Sequence, residues 1–262
     1  MFKKLILILI CLVFTASLAI ASPINLPTAI KGQDGVGLIS NLPVGLSAGF
    51  LNDYVGERDL NKNSGKASFD MIGGIIDLSI LNRFDVYTML GSTLSPEFKF
   101  NNLGNTEKFD FSDQFMWGVG ADAVIYDWKA PGIQFFGDAN YRESSGMGLD
   151  SLTLNGTTVS SSQLSSVGAS MNATWQEWQA ALGVSKKFQY VIPYGGVVYS
   201  DVRASDKVTY SGTTYNSKSL SSKYKVGPFV GVSIIPTKWL SIDITGRFVA
   251  EEAVSVAATV KF

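Results

Sequence analysis

Twelve charged side chains carry whatever chemistry this sequence offers: Asp77, Arg83, Asp85, Asp122, Asp138, Arg142, Glu177, Asp201, Arg203, Lys225, Asp243 and Arg247. Most have an apolar or glycine neighbour at the next position. Carboxylates and cationic groups interleaved with apolar residues serve either as a lining that selects ions or as a network that neutralises itself. A hydrolase is not expected from them, although a carboxylate pair could still catalyse. The chain contains no histidine, so Ser-His-Asp chemistry is excluded and the commonest metal ligand is missing. The one cysteine, Cys11, lies in the first apolar run after Ile10, an unsuitable neighbour for a lipid-anchor site. No catalytic, cofactor or metal site is expected from these residues.

The elements that position the charges show a period of two. Ten strands are expected, over 44–53, 68–79, 83–93, 114–128, 133–143, 175–188, 192–204, 224–235, 239–249 and 253–262. In the last of them Val254, Val256, Ala258, Val260 and Phe262 share one face, while Ser255, Ala257, Thr259 and Lys261 share the other. Nothing follows to cover an open edge, so closure on the first strand is the expected solution. Applied to the other strands, the same alternation turns Phe84, Val119, Leu182, Tyr194, Val198, Val202, Val230 and Ile244 outward. It turns the twelve charges inward, because a base at the centre of a lipid face costs about 2–4 kcal/mol. Gly73-Gly74 interrupts the second strand and predicts a bulge or bend.

Connections alternate in length. Short links fall near 80–82, 129–132, 189–191 and 236–238, and long polar ones at 54–67, 94–113, 144–174 and 205–223. Short turns on one side and long loops on the other are the plan of an outer-membrane barrel. The expected fold is all-β: a transmembrane antiparallel β-barrel of about ten strands, with short periplasmic turns and long extracellular loops. Two long loops echo each other. Leu152–Val159 and Val208–Tyr215 are each centred on a turn dipeptide, Asn155-Gly156 and Ser211-Gly212, which predicts two external hairpins. Trp117, Trp128, Tyr141, Trp178, Tyr194 and Tyr224 are expected as interfacial anchors.

Residues 1–21 read as a secretory signal: Lys3 and Lys4, an apolar stretch, then Ala19-Ile20-Ala21. Cleavage makes the formal charge of −1 more negative by two and gives no nucleic-acid footprint. Residues 22–42 form a lead-in that either trails or enters the barrel, and 43–262 form the barrel itself.

The segment Asn82-Arg83-Phe84-Asp85-Val86-Tyr87-Thr88-Met89-Leu90-Gly91 resembles the chlamydial major outer membrane porin family. So, in order, do Gly118–Ala121 through Trp128, Phe136–Tyr141, Glu177–Ser185 and Ile192–Val197. The resemblance implies an outer-membrane porin. Members of that family are longer and rich in cross-linking cysteines. Without its signal this chain has none, so the cross-linking role is not carried over.

The expected function is porin-like passive passage of ions or small polar solutes through a narrow charged lumen. Inward Ser47, Gly49, Gly91, Gly118, Gly120, Gly183, Gly195, Gly227, Gly231, Ser233 and Ala257 would leave the water path. The alternative is a non-conducting structural or surface-interaction barrel acting through loops 144–174 and 205–223. The expected location is the outer membrane. Expected partners are outer-membrane lipid, the barrel-assembly machinery at the closing strand, and an external partner at the hairpins.

Overall fold

Thirteen strands and two short helices carry the described residues of the computed structural model, which are 24–31, 44–61, 64–81, 83–102, 104–216 and 219–262. The signal segment, residues 22–23 and all of 32–43 lie outside them. The strands are β1 (Val44–Asp59), β2 (Lys66–Ile80), β3 (Phe84–Asn102), β4 (Asn105–Phe111), β5 (Gln114–Trp128), β6 (Ile133–Leu154), β7 (Thr157–Ser160), β8 (Ala169–Lys186), β9 (Val191–Tyr210), β10 (Thr213–Asn216), β11 (Val226–Thr237), β12 (Leu240–Arg247) and β13 (Glu252–Lys261). The helices are α1 (Thr28–Lys31) and α2 (Ser161–Ser166).

Ten of the strands close a ring in the order β1-β2-β3-β5-β6-β8-β9-β11-β12-β13, and every pairing is antiparallel. The ring shuts where β13 pairs β1, from Ser47 opposite Lys261 to Tyr54 opposite Val254. No edge remains on the ring, as a sheet immersed in lipid requires. β4, β7 and β10 lie off the ring and extend β3, β6 and β9 at the long-loop end.

The outer face is apolar. Phe50, Ile76, Leu90, Val119, Leu182, Val197 and Val230 are all exposed, far more apolar surface than a water-facing sheet shows. Aromatic rings flank this band. Trp128, Phe135, Tyr190, Trp239 and Phe262 stand at the short-turn end, and Tyr54, Phe115, Trp117, Trp178, Tyr224 and Phe248 toward the long-loop end. On β5, Trp117 and Trp128 bracket Val119, Ala121, Ala123 and Ile125. Eleven residue steps, tilted as barrel strands are, rise about 28 Å, enough to cross the hydrocarbon layer.

The inner face is packed in layers. At the long-loop mouth Phe69, Phe98, Phe111 and Trp175 cluster, with the Phe69 and Trp175 rings 4.8 Å apart and the Phe98 and Trp175 rings 5.9 Å apart. At the short-turn end Val124, Phe136, Ile192, Tyr194, Val198 and Phe229 pack around Ile24, Leu26 and Ile30 of the N-terminal segment. Residues 24–31 of the lead-in therefore lie inside the barrel, at its short-turn end.

Several expectations are corrected. The phase of β9 is inverted: Ile192, Tyr194, Val198 and Val202 are buried inside, while Val197 and Arg203 are exposed outside. The reason is the inner apolar cluster, which draws the hydrophobic residues of β9 inward. Tyr194 is thus an interior residue, its hydroxyl 2.6 Å from Thr245 Oγ1, and not an interfacial anchor. Gly195 turns outward with the same strand. β2 runs unbroken through Gly73-Gly74, where Gly73 faces Gly91 so closely that a Cβ on Gly73 would meet the Leu90 carbonyl. The irregularities fall elsewhere. One lies between Val55 and Arg58 on β1, and another between Val124 and Tyr126 on β5 swings Tyr126 outward. At three of the small inward positions aromatic rings take the space. A Cβ at Gly120 would strike the Tyr87 ring, one at Gly183 the Phe136 ring, and one at Gly231 the Tyr194 ring. These glycines seat aromatic side chains.

Both hairpins form as the turn dipeptides predict. Leu154 pairs Thr157 across Asn155-Gly156, and Tyr210 pairs Thr213 across Ser211-Gly212. All four turn residues have positive φ, as a two-residue type I′ turn demands. The ring strands β3, β6, β8 and β9 also run several residues further toward the long-loop end than expected, making ribbons of the would-be loops.

Candidate functional site

The interior holds two charged layers. The one nearer the long loops is built from Asp53 and Arg58 on β1, Arg142 on β6, Glu177 on β8, Arg247 on β12, and Glu251 in the link before β13. None of the six side chains is more than 1% exposed. Glu177 is the hub. It accepts from Arg142 Nη2 at 2.7 Å and Nε at 3.0 Å, Arg58 Nη2 at 2.8 Å and Ser200 Oγ at 2.7 Å. Arg142 Nη1 also reaches Asp53 Oδ2 at 2.5 Å, and Arg247 Nη2 reaches Asp53 Oδ1 at 3.1 Å. Glu251 pairs with Arg58 and with Arg247. The Arg58 guanidinium also stands 5.8 Å from the centre of the Trp175 ring.

These bonds cross the bore. β1 and β8 stand on opposite sides of the ring, five strands apart in either direction, so the Arg58–Glu177 pair spans the lumen. Three carboxylates meet three guanidiniums, and the layer is neutral. Charges held this way in a dry interior tie the walls together. Removing one partner is far more costly than the net value of the pair.

The lower layer is acidic. Asp77 on β2, Asp85 on β3, Asp122 on β5, Asp138 on β6 and Asp243 on β12 all face inward and are buried. The N-terminal segment meets them. Asn25 Nδ2 donates to Asp77 Oδ2 at 3.1 Å and to Asp122 Oδ2 at 2.7 Å. The Thr28 backbone N–H donates to Asp85 Oδ2 at 2.6 Å, and Lys31 Nζ lies 2.9 Å from Asp243 Oδ2. Asp138 accepts from the Tyr87 hydroxyl at 2.6 Å and from Asn140 at 3.1 Å.

Of the twelve charges singled out from the sequence, Asp77, Asp85, Asp122, Asp138, Arg142, Glu177, Asp243 and Arg247 lie inside. Four do not, and their inward placement is corrected. Arg83 is exposed at the short-turn end, its guanidinium 3.4 Å from the Ile125 carbonyl. Arg203 and Asp201 are on the outer face of β9, where the inverted phase puts them near the long-loop rim. Lys225 joins Asp201 there at 2.8 Å, with its side chain 39% exposed. A position beyond the apolar band lets these charges stay in water or among headgroups, so the lipid penalty does not force them inward.

Sequence reasoning missed Arg58, Glu251, Asn25 and Lys31. Simple alternation along β1 puts Arg58 with the outward residues, and the irregularity after Val55 reverses that. Glu251 belongs to a link, and the other two to a lead-in with no periodicity. Alternation along β1 puts Asp53 on the same inward face as Ser47 and Gly49, but its partners Arg142 and Arg247 are brought to it only by closure.

No family model matches the chain, and no curated relative matches it. The resemblance to chlamydial porins rests on the segments quoted above. Among solved structures, the chain is similar to outer-membrane β-barrels. The outer membrane protease OmpT from Escherichia coli is 9% identical, covering 83% of this chain and 92% of that one, with a TM-score of 0.40. The outer membrane protein OprG from Pseudomonas aeruginosa is 13% identical over 84% and 95%, with a TM-score of 0.41. The translocator domain of the autotransporter NalP from Neisseria meningitidis is 10% identical over 83% and 85%, with a TM-score of 0.39.

Proposed function

We propose that this chain is an outer-membrane barrel that is closed to solutes in the conformation described and acts through its long-loop face. The observation that carries this reading is the Arg58–Glu177–Arg142–Asp53 chain of bonds across the bore. The N-terminal segment occupies the space below it. No catalytic role is assigned. The ribbons β6–β7 and β9–β10 project beyond the closed ring and present Leu154, Tyr210 and Tyr215 exposed. They are the natural contact surface for an external partner. Cation passage is the second reading, favoured by the acidic lower layer; it requires both the N-terminal segment and the guanidinium layer to move.

The surface reading is tested on intact cells. A cysteine placed in the tip at Gly156 or Gly212 should react with a membrane-impermeant maleimide. One placed at Gly132, in a short turn, should react only after the membrane is permeabilised. The reverse pattern would put the ribbons in the periplasm and remove the external contact surface.

A further inference from the structure

Three carboxylates of the lower layer share an arrangement that the closed-barrel reading does not use. Asp77, Asp85 and Asp122 bring one oxygen each to within 4.8 Å of one another. In each, Oδ2 is engaged by the N-terminal segment. In each, Oδ1 is buried and has no hydrogen-bond partner among the described residues. A second side chain points to the same place. Ser79 is 2% exposed, pairs directly with Asp85 across β2 and β3 on the inward face, and has a buried hydroxyl that also lacks a partner. Asp85 in turn pairs directly with Asp122. Opposed residues on one face of a sheet have their Cβ atoms about 5 Å apart, so the Ser79 hydroxyl is a neighbour of the carboxylate cluster.

The charge balance points the same way. The upper layer sets three acids against three guanidiniums. The lower layer sets Asp77, Asp85, Asp122, Asp138 and Asp243 against two buried ammonium groups, Lys31 and Lys261. Lys31 is engaged by Asp243. Clustered carboxylates in a water-poor interior are stabilised either by bound protons or by a cation among them, and a cation does so while engaging several oxygens at once. Oxygens spaced up to 4.8 Å apart suit an ion bound at about 2.4 Å from each, the range of calcium with oxygen ligands. The donor set is all oxygen, which selects a hard cation over zinc or copper.

We propose that Asp77, Asp85, Asp122 and Ser79 bind a hard divalent cation of the calcium type, roofed by Asn25 and Thr28. Because the N-terminal segment holds the outer oxygens of the same three carboxylates, the ion and the segment stabilise each other's place in the lumen.

The test uses the full chain refolded in detergent, with folding verified by heat-modifiable gel mobility. Calcium should be retained at one ion per barrel after desalting, and the thermal midpoint should be higher in calcium than in EDTA. Asp85→Asn and Asp122→Asn should each weaken calcium at least tenfold, Ser79→Ala several-fold, and Asp201→Asn on the outer rim not at all. Terbium emission excited through tyrosine provides a readout that needs no variant to fold, since Tyr87 pairs directly with Asp77. Calcium should quench that emission by competition. A folded barrel that retains no calcium, shows the same midpoint in calcium and EDTA and gives no sensitised terbium emission would overturn the proposal. So would binding undiminished in a folded Asp85→Asn/Asp122→Asn double variant.

Discussion

Glu177 holds four donors from three other strands and its own neighbour: Arg58, Arg142, Ser200 and, at 3.4 Å, the Trp175 indole. Changing it to glutamine keeps its size and removes its charge. Arg58 and Arg142 would then lose their shared counter-ion in an interior that water does not reach. Glu177→Gln should destabilise the barrel by about 3–5 kcal/mol, measured by urea unfolding in lipid vesicles. Asp201→Asn, at the rim pair with Lys225, should cost no more than about 1 kcal/mol. Equal costs at the two sites would deny the buried layer its bracing role. The aspartates of the lower layer, with Arg142, Glu177 and Arg247, were legible in the sequence because a lipid face rejects charge and strand parity leaves one alternative. Arg58 was not, because the irregularity after Val55 reverses parity and its one local mark, Gly56, looks like the glycines that sit in regular strand positions such as Gly118 and Gly120.

At the scale of elements, parity decides which surface each strand offers. It was readable wherever the lipid face was apolar and the inner face polar, as on β12 with Leu240, Ile242 and Ile244 against Ser241, Asp243 and Thr245. It failed on β9, whose inner residues pack on Phe136, Phe229 and the N-terminal segment, so that both faces carry hydrophobic side chains. The flat pair Val197-Val198 gives no local clue to the phase. Spin labels placed by Val197→Cys and Val198→Cys measure it directly. The label at 197 should be accessible to oxygen dissolved in the bilayer, and the label at 198 shielded. The opposite result would restore the phase read from the sequence and bring Asp201 and Arg203 into the lumen. The hairpins, by contrast, were written locally in Asn155-Gly156 and Ser211-Gly212, whose positive φ values need no tertiary contact to specify them.

The whole molecule is a ring whose strand count, antiparallel order and alternation of short and long links all follow from pattern and from the need to leave no edge in lipid. What the pattern does not reveal is the content of the bore. Small inward residues read as free space, yet rings from neighbouring strands lie against Gly120, Gly183 and Gly231, and the bonds that cross the bore join residues as far apart in sequence as Arg58 and Glu177. Residues 24–31 form no strand and carry no period of two; Ile24, Leu26 and Ile30 are buried on the lower-lumen core. On the proposed function two independent layers close this barrel, the guanidinium layer and residues 24–31, and single-channel recording of the refolded chain in a planar bilayer measures that closure. The full chain should be silent. Deleting residues 24–31 alone should leave it silent, because the guanidinium layer remains. Stable conductance steps should appear only when that deletion is combined with Arg58→Ala and Glu177→Ala. Steady steps from the unmodified, correctly folded barrel would rule out the two-layer closure and return the lumen to the role of an open pore.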